Sequence, residues 1–301
     1  MSNVRLQEIA LLPLDQRAAR IAQLFAEGAE AEAAAAPRAP EKRTRLRTRL
    51  RNLAFWARPD RLSVALTALA AVVGGKFFDA SFAPRPRADG FCGVARIPNG
   101  EAAIELYARG LCFDAFPGLA ALWSPPRRAI VRPADSLRLP GGGLERGAAE
   151  AILDRDFERH LDLCDAQPVG AGRRPAFPAA LSELFAHGLA HSLELRDGAE
   201  TQAVIVGVAI GRVFTVEGFF ARDRASFARA VAALARHLAG LNFSAVDFRA
   251  PSPQIYGLPI ELISREGFLA LLAQPGGARA GRWRKPAPEK APDPMERQRA
   301  A

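Results

Sequence analysis

The chain has 301 residues, 49% hydrophobic and 24% charged, a balance that excludes a disordered chain and leaves room for one large domain or two small ones. Its formal net charge is +9, from 41 basic and 32 acidic residues, which favours a polyanionic partner such as nucleic acid or an anionic membrane face. Cys92, Cys112 and Cys164 are scattered, with no CxxC pair and no disulfide framework, so a reducing, cytoplasmic setting is expected.

Val4–Glu27 reads as an amphipathic helix, with Pro13 as an interruption, and mixes charge into its pattern unlike a signal peptide. Gly28–Pro40 is an Ala/Glu linker closed by prolines. Lys42–Ala57 is a basic helix candidate that gathers Lys42, Arg43, Arg45, Arg47, Arg49 and Arg51. Arg61–Phe78 is more apolar, and its run Leu62–Gly75, too short to span a bilayer without help, is expected to be a buried core helix. Pro84–Asp89 interrupts both periodicities, so residues 1–92 are expected to form a helical, basic N-terminal region with a linker.

Beyond that point strands and helices mix. Glu101–Arg109 is expected to be a helix stopped by Gly110, and Leu119–Trp123 and Arg128–Arg132 strands around a Pro-Pro turn. Asp154–Asp165 and Pro178–His187 follow as helices, the second ended by Gly188. Ala190–Leu195, Ala203–Ile210 and Arg212–Val216 are strand candidates, the last two forming a hairpin at Gly211. Asp223–Ala239 is a strongly amphipathic helix, Ser244–Phe248 a strand and Arg265–Leu272 a closing helix. Residues 275–301 are rich in Pro, Arg and Gly with little apolar content, and disorder is expected there. The alternation implies one α/β domain over residues 93–274, a mixed sheet with flanking helices.

Several segments carry a resemblance. Leu106–Gly110 followed by Trp123-Ser124-Pro125-Pro126-Arg127-Arg128-Ala129 is similar to a pattern in which "AYxxGIFPW" precedes "WWSPxPRA". Asp154-Arg155-Asp156-Phe157 with Cys164 resembles "D-x-x-F … CA", and Gly188–Glu194 matches "G-x-AHS-x-E". Val206-Gly207 through Phe220 resembles "GGxYGxxxGxxFxGESMF", and Ala225-Ser226 falls where the pattern has "AS" opening a long helix. Ala245–Arg249 resembles "LIDCQ", and Gly257 with Arg265–Phe268 resembles "SLG … R-x-x-F". In this order the segments resemble the leucyl/phenylalanyl-tRNA–protein transferases over about 180 residues. Three departures stand out. Leu122-Trp123 replaces two tryptophans, Gly172–Phe177 lacks a "TWI" segment, and Arg249 stands where the family has Gln.

The resemblance implies a GNAT-like, acyl-CoA N-acyltransferase-like fold. It also implies transfer of an amino acid such as Leu or Phe from aminoacyl-tRNA, the donor, to a protein N-terminal amine, the acceptor. No cofactor and no metal are expected. Aminolysis of an ester needs a carboxylate near the amine and donors for an oxyanion. Asp247 ends a short apolar strand and matches the family's Asp; it is expected either to face a cleft as proton acceptor or to pair with Arg249. Arg249 has donors but no acceptor, so it cannot copy the family's Gln; it lowers the pKa of Asp247 or clamps an anionic group. Glu217 either orients an α-ammonium or is a solvated strand end. Trp123, Phe177, Phe219 and Phe220 either line an apolar pocket for the transferred side chain or pack the core.

His191 and Ser192, neighbours on a strand, point to opposite faces and cannot form a nucleophile–base pair; either touches substrate or is structural. His187 and His191 are separated by Gly188 and lack metal-ligand geometry. Gly141-Gly142-Gly143 and Gly207–Gly211 lack the lysine and context of phosphate loops. The Lys42–Arg51 run reads as a solvated face, a nucleic-acid contact or a membrane-surface contact. Beside aminoacyl transfer stand two alternatives: an acyltransferase of the same fold with a different donor, and a non-catalytic relative that binds RNA or membrane.

Overall fold

A computed structural model describes residues 62–75, 77, 86–96, 98–116, 119–139, 149–166, 172–255, 257–274 and 283. The expected helices at 4–27 and 42–57, the basic run from Lys42 to Arg51 and the triple glycine at 141–143 lie outside the described residues. The described elements run α1 (Leu62–Val73), β1 (Phe91–Ala95), α2 (Gly100–Ala108), β2 (Cys112–Phe116), β3 (Leu119–Trp123), β4 (Arg127–Val131), β5 (Glu150–Leu153), α3 (Phe157–Ala166) and α4 (Pro178–Ala186). They continue with β6 (Ala190–Asp197), β7 (Glu200–Ile210), β8 (Val213–Ala221), α5 (Arg224–Gly240), β9 (Ala245–Asp247), β10 (Glu261–Ser264) and α6 (Arg265–Leu272).

Seven strands form a mixed sheet in the order β10-β4-β9-β8-β7-β6-β5, and a second sheet has the order β1-β3-β2. Only β8 and β9 run parallel. The large sheet is covered on both faces. His191 on β6 meets His237 of α5 through a shared neighbour, whereas the adjacent Ser192 bonds His160 of α3, so the two helices lie on opposite faces. That double cover explains why β7 reads as a nearly continuous apolar run from Ala203 to Ile210. This is the expected mixed α/β class.

Helix ends follow local chemistry. Asp223 caps α5 by accepting from the Ser226 backbone N–H at 2.7 Å, and Asn99 and Ser264 cap α2 and α6 in the same way. Gly110, with φ +73°, turns the chain out of α2, where a left-handed residue ends the helix without a Cβ penalty. Four strands carry no clear sequence signal: β1, β2, β5 and β10. They are short edge or small-sheet strands, and β5 occupies the stretch directly before the expected helix at 154. The boundary expected at residue 92 falls inside β1. Val64 and Ala68 of α1 pack on Phe91, Val94 and Ala121, so the helix is continuous with the small sheet's core.

Two buried networks fix the sheet faces. Glu194 on β6 accepts from Arg159 at 3.2 Å, Arg196 at 3.0 Å and Thr201. Burial pushes its pKa upward, but the hydrogen bonds from Thr201 and Arg159 and the His160 and Arg196 contacts outweigh it and hold the group at about 2. On the other face Asp154, with φ +50°, accepts from the Ser192 backbone N–H, from His191 Nδ1 at 2.8 Å and from the Trp283 backbone N–H at 2.6 Å. The Trp283 ring stacks on His191 at 3.9 Å and contacts Phe214, His237 and Phe243. Burial, with His191 adding to it, pushes His237 down to about 4. Trp283 is 6% exposed, which corrects the expectation of disorder across 275–301 at this residue.

Trp283→Ala is therefore expected to destabilise the fold by about 3–5 kcal/mol, read as a drop in denaturation midpoint, with partial recovery on adding free indole. Glu194 has a folded pKa below its ordinary 4.5, so its contribution is present above that value and is lost as pH falls toward about 2. Glu194→Gln is expected to cost about 1–2 kcal/mol at neutral pH, discounted for the solvent around Arg159, and the gap to the wild-type chain should narrow in unfolding curves taken at progressively lower pH.

Candidate functional site

The parallel pair β8–β9 is short. It holds over Val213↔Ala245, Phe214↔Val246 and Thr215↔Asp247, and then the strands part. Past that point the place beside β8 is taken by Arg173, which exchanges backbone hydrogen bonds with Phe219 at 3.2 and 2.9 Å. In the same stretch β8 carries a bulge against β7: Val206 pairs with Gly218 and Gly207 with Val216, which leaves Glu217 as the extra residue. A bulge re-aims a side chain without ending the strand. Glycine is required on its partner side, because a Cβ at Gly207 would lie 2.3 Å from the Thr215 carbonyl oxygen.

Glu217 is thereby directed into a small cleft lined by Ala103 and Tyr107 of α2, Phe113 of β2, Phe177, and Ala180 and Leu181 of α4. Its side chain is 1% exposed. Oε2 lies 3.7 Å from Arg249 Nη1, while Oε1 has no hydrogen-bond partner. Burial pushes the Glu217 carboxyl above its usual range; Arg249, Arg173 and the Tyr107 hydroxyl oppose that rise. Arg173 donates to the Val216 carbonyl at 3.2 Å, and burial together with the adjacent Arg249 pushes its pKa down to about 10. A buried, half-satisfied carboxylate walled by aromatic rings is suited to an amine that carries an apolar group.

Asp247 does not face a cleft. It is fully buried, and Arg128 Nη1 donates to Oδ2 at 2.8 Å. The Thr215 hydroxyl donates to the same oxygen at 3.2 Å, and the Arg249 backbone N–H donates to Oδ1 at 2.8 Å. Arg128 also donates to the Gly110 carbonyl and lies 4.1 Å over the Phe268 ring. The expected Asp247–Arg249 side-chain pair is replaced by Arg128 for a geometric reason. Arg249 adopts φ +70°, which keeps its N–H on Asp247 but carries its guanidinium away to the Phe113 carbonyl, Asp114 and Glu217.

The other candidates divide clearly. Phe177 lines the cleft. Trp123 does not: it packs edge-on against Phe91 at 5.3 Å in the small sheet. Phe219 stacks on Phe227 at 4.4 Å in the core, and Phe220 packs against the core. His191 and Ser192 do point to opposite faces, and each is held by a buried partner, Asp154 and His160, away from the cleft. Among the described residues no group of three His, Cys, Asp or Glu side chains is placed to hold a metal ion. Tyr107 and Arg128 sit inside matched segments but carry no polar-site signal of their own. Phe113, Leu181 and Arg173 have none.

A family model described as leucyl/phenylalanyl-tRNA protein transferase matches residues 142–273. The leucyl/phenylalanyl-tRNA–protein transferase of Xanthomonas oryzae pv. oryzae is 30% identical over 202 residues, 62% of this chain and 81% of that protein. The one from Pseudomonas entomophila is 32% identical over 190 residues, 59% and 83%. Among solved structures, a GCN5-related N-acetyltransferase from Kribbella flavida is 16% identical, with a TM-score of 0.30 over 56% of this chain and 63% of that one, a likeness that adds nothing to the fold described above.

Removing Asp247 would leave the Arg128 guanidinium buried without its counter-charge. Asp247→Ala is expected to cost about 3–5 kcal/mol in chemical denaturation, well above the effect of an exposed carboxylate. A change below about 1 kcal/mol would mean that the pair is not the constraint described.

Proposed function

We propose that this chain, which belongs to the leucyl/phenylalanyl-tRNA–protein transferase family, moves an amino acid with an apolar side chain from aminoacyl-tRNA to the N-terminal amine of a protein or peptide. The observation that carries this reading is the unpartnered Oε1 of Glu217 inside an apolar cleft. Glu217 binds the α-ammonium of the aminoacyl group. Tyr107, Phe113, Phe177 and Leu181 line the entry for its apolar side chain; the cleft, about 10 Å³, holds about one water molecule, so these side chains move apart to admit it.

In the reaction the acceptor amine nitrogen attacks the ester carbonyl carbon. The bond from that carbon to the terminal ribose oxygen breaks, and the amine's proton passes to the departing ribose oxygen. Holding the ester at a fixed point against the amine supplies the proximity part of the rate. Arg249, a charged donor 3.7 Å from Glu217, supports a role in stabilising negative charge on the carbonyl oxygen. Asp247 acts as a positioning residue: through the Arg249 backbone N–H it holds the left-handed turn that sends the guanidinium toward Glu217. The basic run from Lys42 to Arg51 supports contact with a polyanion such as tRNA.

Purified protein incubated with leucyl- or phenylalanyl-tRNA and a peptide beginning with Arg should transfer the amino acid. Glu217→Gln should lower kcat/KM by about a hundredfold or more, because it removes a charge-assisted contact in a buried site. No transfer by the wild-type chain, or transfer indifferent to Glu217→Gln, would overturn the reading. Arg249→Gln should lower kcat about tenfold or more. A rise instead would favour an acyltransferase of the same fold with a different donor.

A further inference from the structure

A surface helix of a soluble protein is apolar toward the core and polar toward water. Helix α1 breaks this rule. Its twelve residues include no charged group. Val64 and Ala68 face the small sheet and are buried. Leu62, Leu66, Leu69 and Val73 fall at helical spacing on the outward side and are between 50% and 82% exposed. Val72 and Phe77 extend the same apolar surface.

Two arginines, one of them beside an aspartate, border this patch. The Arg87 guanidinium donates to Thr67 in the middle of α1 at 3.1 Å, and its other nitrogen lies 3.6 Å from Asp89. The Arg96 guanidinium sits over the Phe77 ring at 5.9 Å. In sequence the helix follows Lys42, Arg43, Arg45, Arg47, Arg49 and Arg51.

We propose that α1 docks in the plane of an anionic lipid surface, its leucine stripe entering the boundary between headgroups and acyl chains while the flanking arginines meet lipid phosphates. Its length sets the orientation. Twelve residues rise about 18 Å, short of the roughly 30 Å of a bilayer's hydrocarbon core, so the helix lies along the surface. No described helix is long and apolar enough to cross a membrane. The charge pattern selects the occupant. RNA would engage the guanidiniums but has no use for a leucine stripe. A two-fold contact between copies would bury the stripe but makes no use of the basic run that precedes the helix in sequence. An anionic membrane satisfies both features at once.

This inference is independent of the reaction at Glu217, and its test reads no activity. The full chain is co-sedimented with phosphatidylcholine vesicles and with vesicles containing about 30% phosphatidylglycerol. Binding is expected only to the anionic vesicles and should weaken as salt rises. Leu66→Asp combined with Leu69→Asp should lower the partition coefficient about tenfold or more while leaving Tm unchanged, since both sites face solvent. In a second variant, Leu66→Trp, difference fluorescence against the wild-type chain should show a blue shift on adding anionic vesicles. The proposal is overturned by absence of vesicle binding, by binding that the double aspartate variant retains, or by a Leu66→Trp signal that vesicles leave unmoved. It is equally overturned by a wild-type dimer that the aspartates convert to monomer without vesicle binding.

Discussion

A carboxylate buried among aromatic rings with one oxygen left without a hydrogen bond is a costly arrangement, and one suited to a cationic partner. Glu217 is that group. Its position follows from three backbone features that converge on β8: the bulge opposite Gly207, the divergence of β9 after Asp247, and the segment at Arg173 that fills the gap. Gly218 belongs to the same construction, because a Cβ there would lie 2.7 Å from the Pro175 ring. Each feature disrupts a regular ladder at one point, and together they leave a charged side chain where a sheet would otherwise be closed.

Charge balance around the cleft explains why the other carboxylate is sealed. Asp247 and Arg128 are both buried and each satisfies the other. Desolvation offsets most of such a pair's attraction, so its net contribution to stability is small although breaking it is costly. What it fixes here is the junction of β4, β9 and the left-handed turn at Arg249, across which the Ala129 N–H donates to the Arg249 carbonyl and the Phe248 N–H to the Ala129 carbonyl. A non-glycine residue in that conformation costs about 1 kcal/mol, and the backbone contacts on both sides hold it there. The Arg249 guanidinium thus reaches Glu217 while the buried Asp247–Arg128 pair behind it remains a framework.

The helices and long central strands were legible in the sequence because their signals are local. α2, α5 and α6 begin at side-chain caps and show helical spacing, and the β7–β8 hairpin turns at Gly211 between two apolar runs. The short strands β1, β2, β5 and β10 depend on partners far along the chain, and four or five residues give no periodicity to read. The site was legible only in part for the same reason. Glu217 and Phe177, both singled out by residue type, line the same cleft. Asp247 stands at the expected strand end, but its partner Arg128 lies 119 residues away, and no local pattern reveals that the pair is closed. Trp283 sits in a polar stretch whose composition hides one anchoring ring; its contacts are with His191, Phe214, His237 and Phe243.

In the proposed reaction Glu217 receives the α-ammonium of an aminoacyl group whose side chain enters the cleft. Calorimetric binding of a hydrolysis-resistant, amide-linked phenylalanyl-adenosine tests this most directly, when paired with its N-acetylated form and with Glu217→Gln. Acetylation and the substitution remove the same contact, so each alone should weaken binding about tenfold to a hundredfold, and the two together no more than either one. Full affinity for the acetylated compound, or losses that add independently, would contradict it.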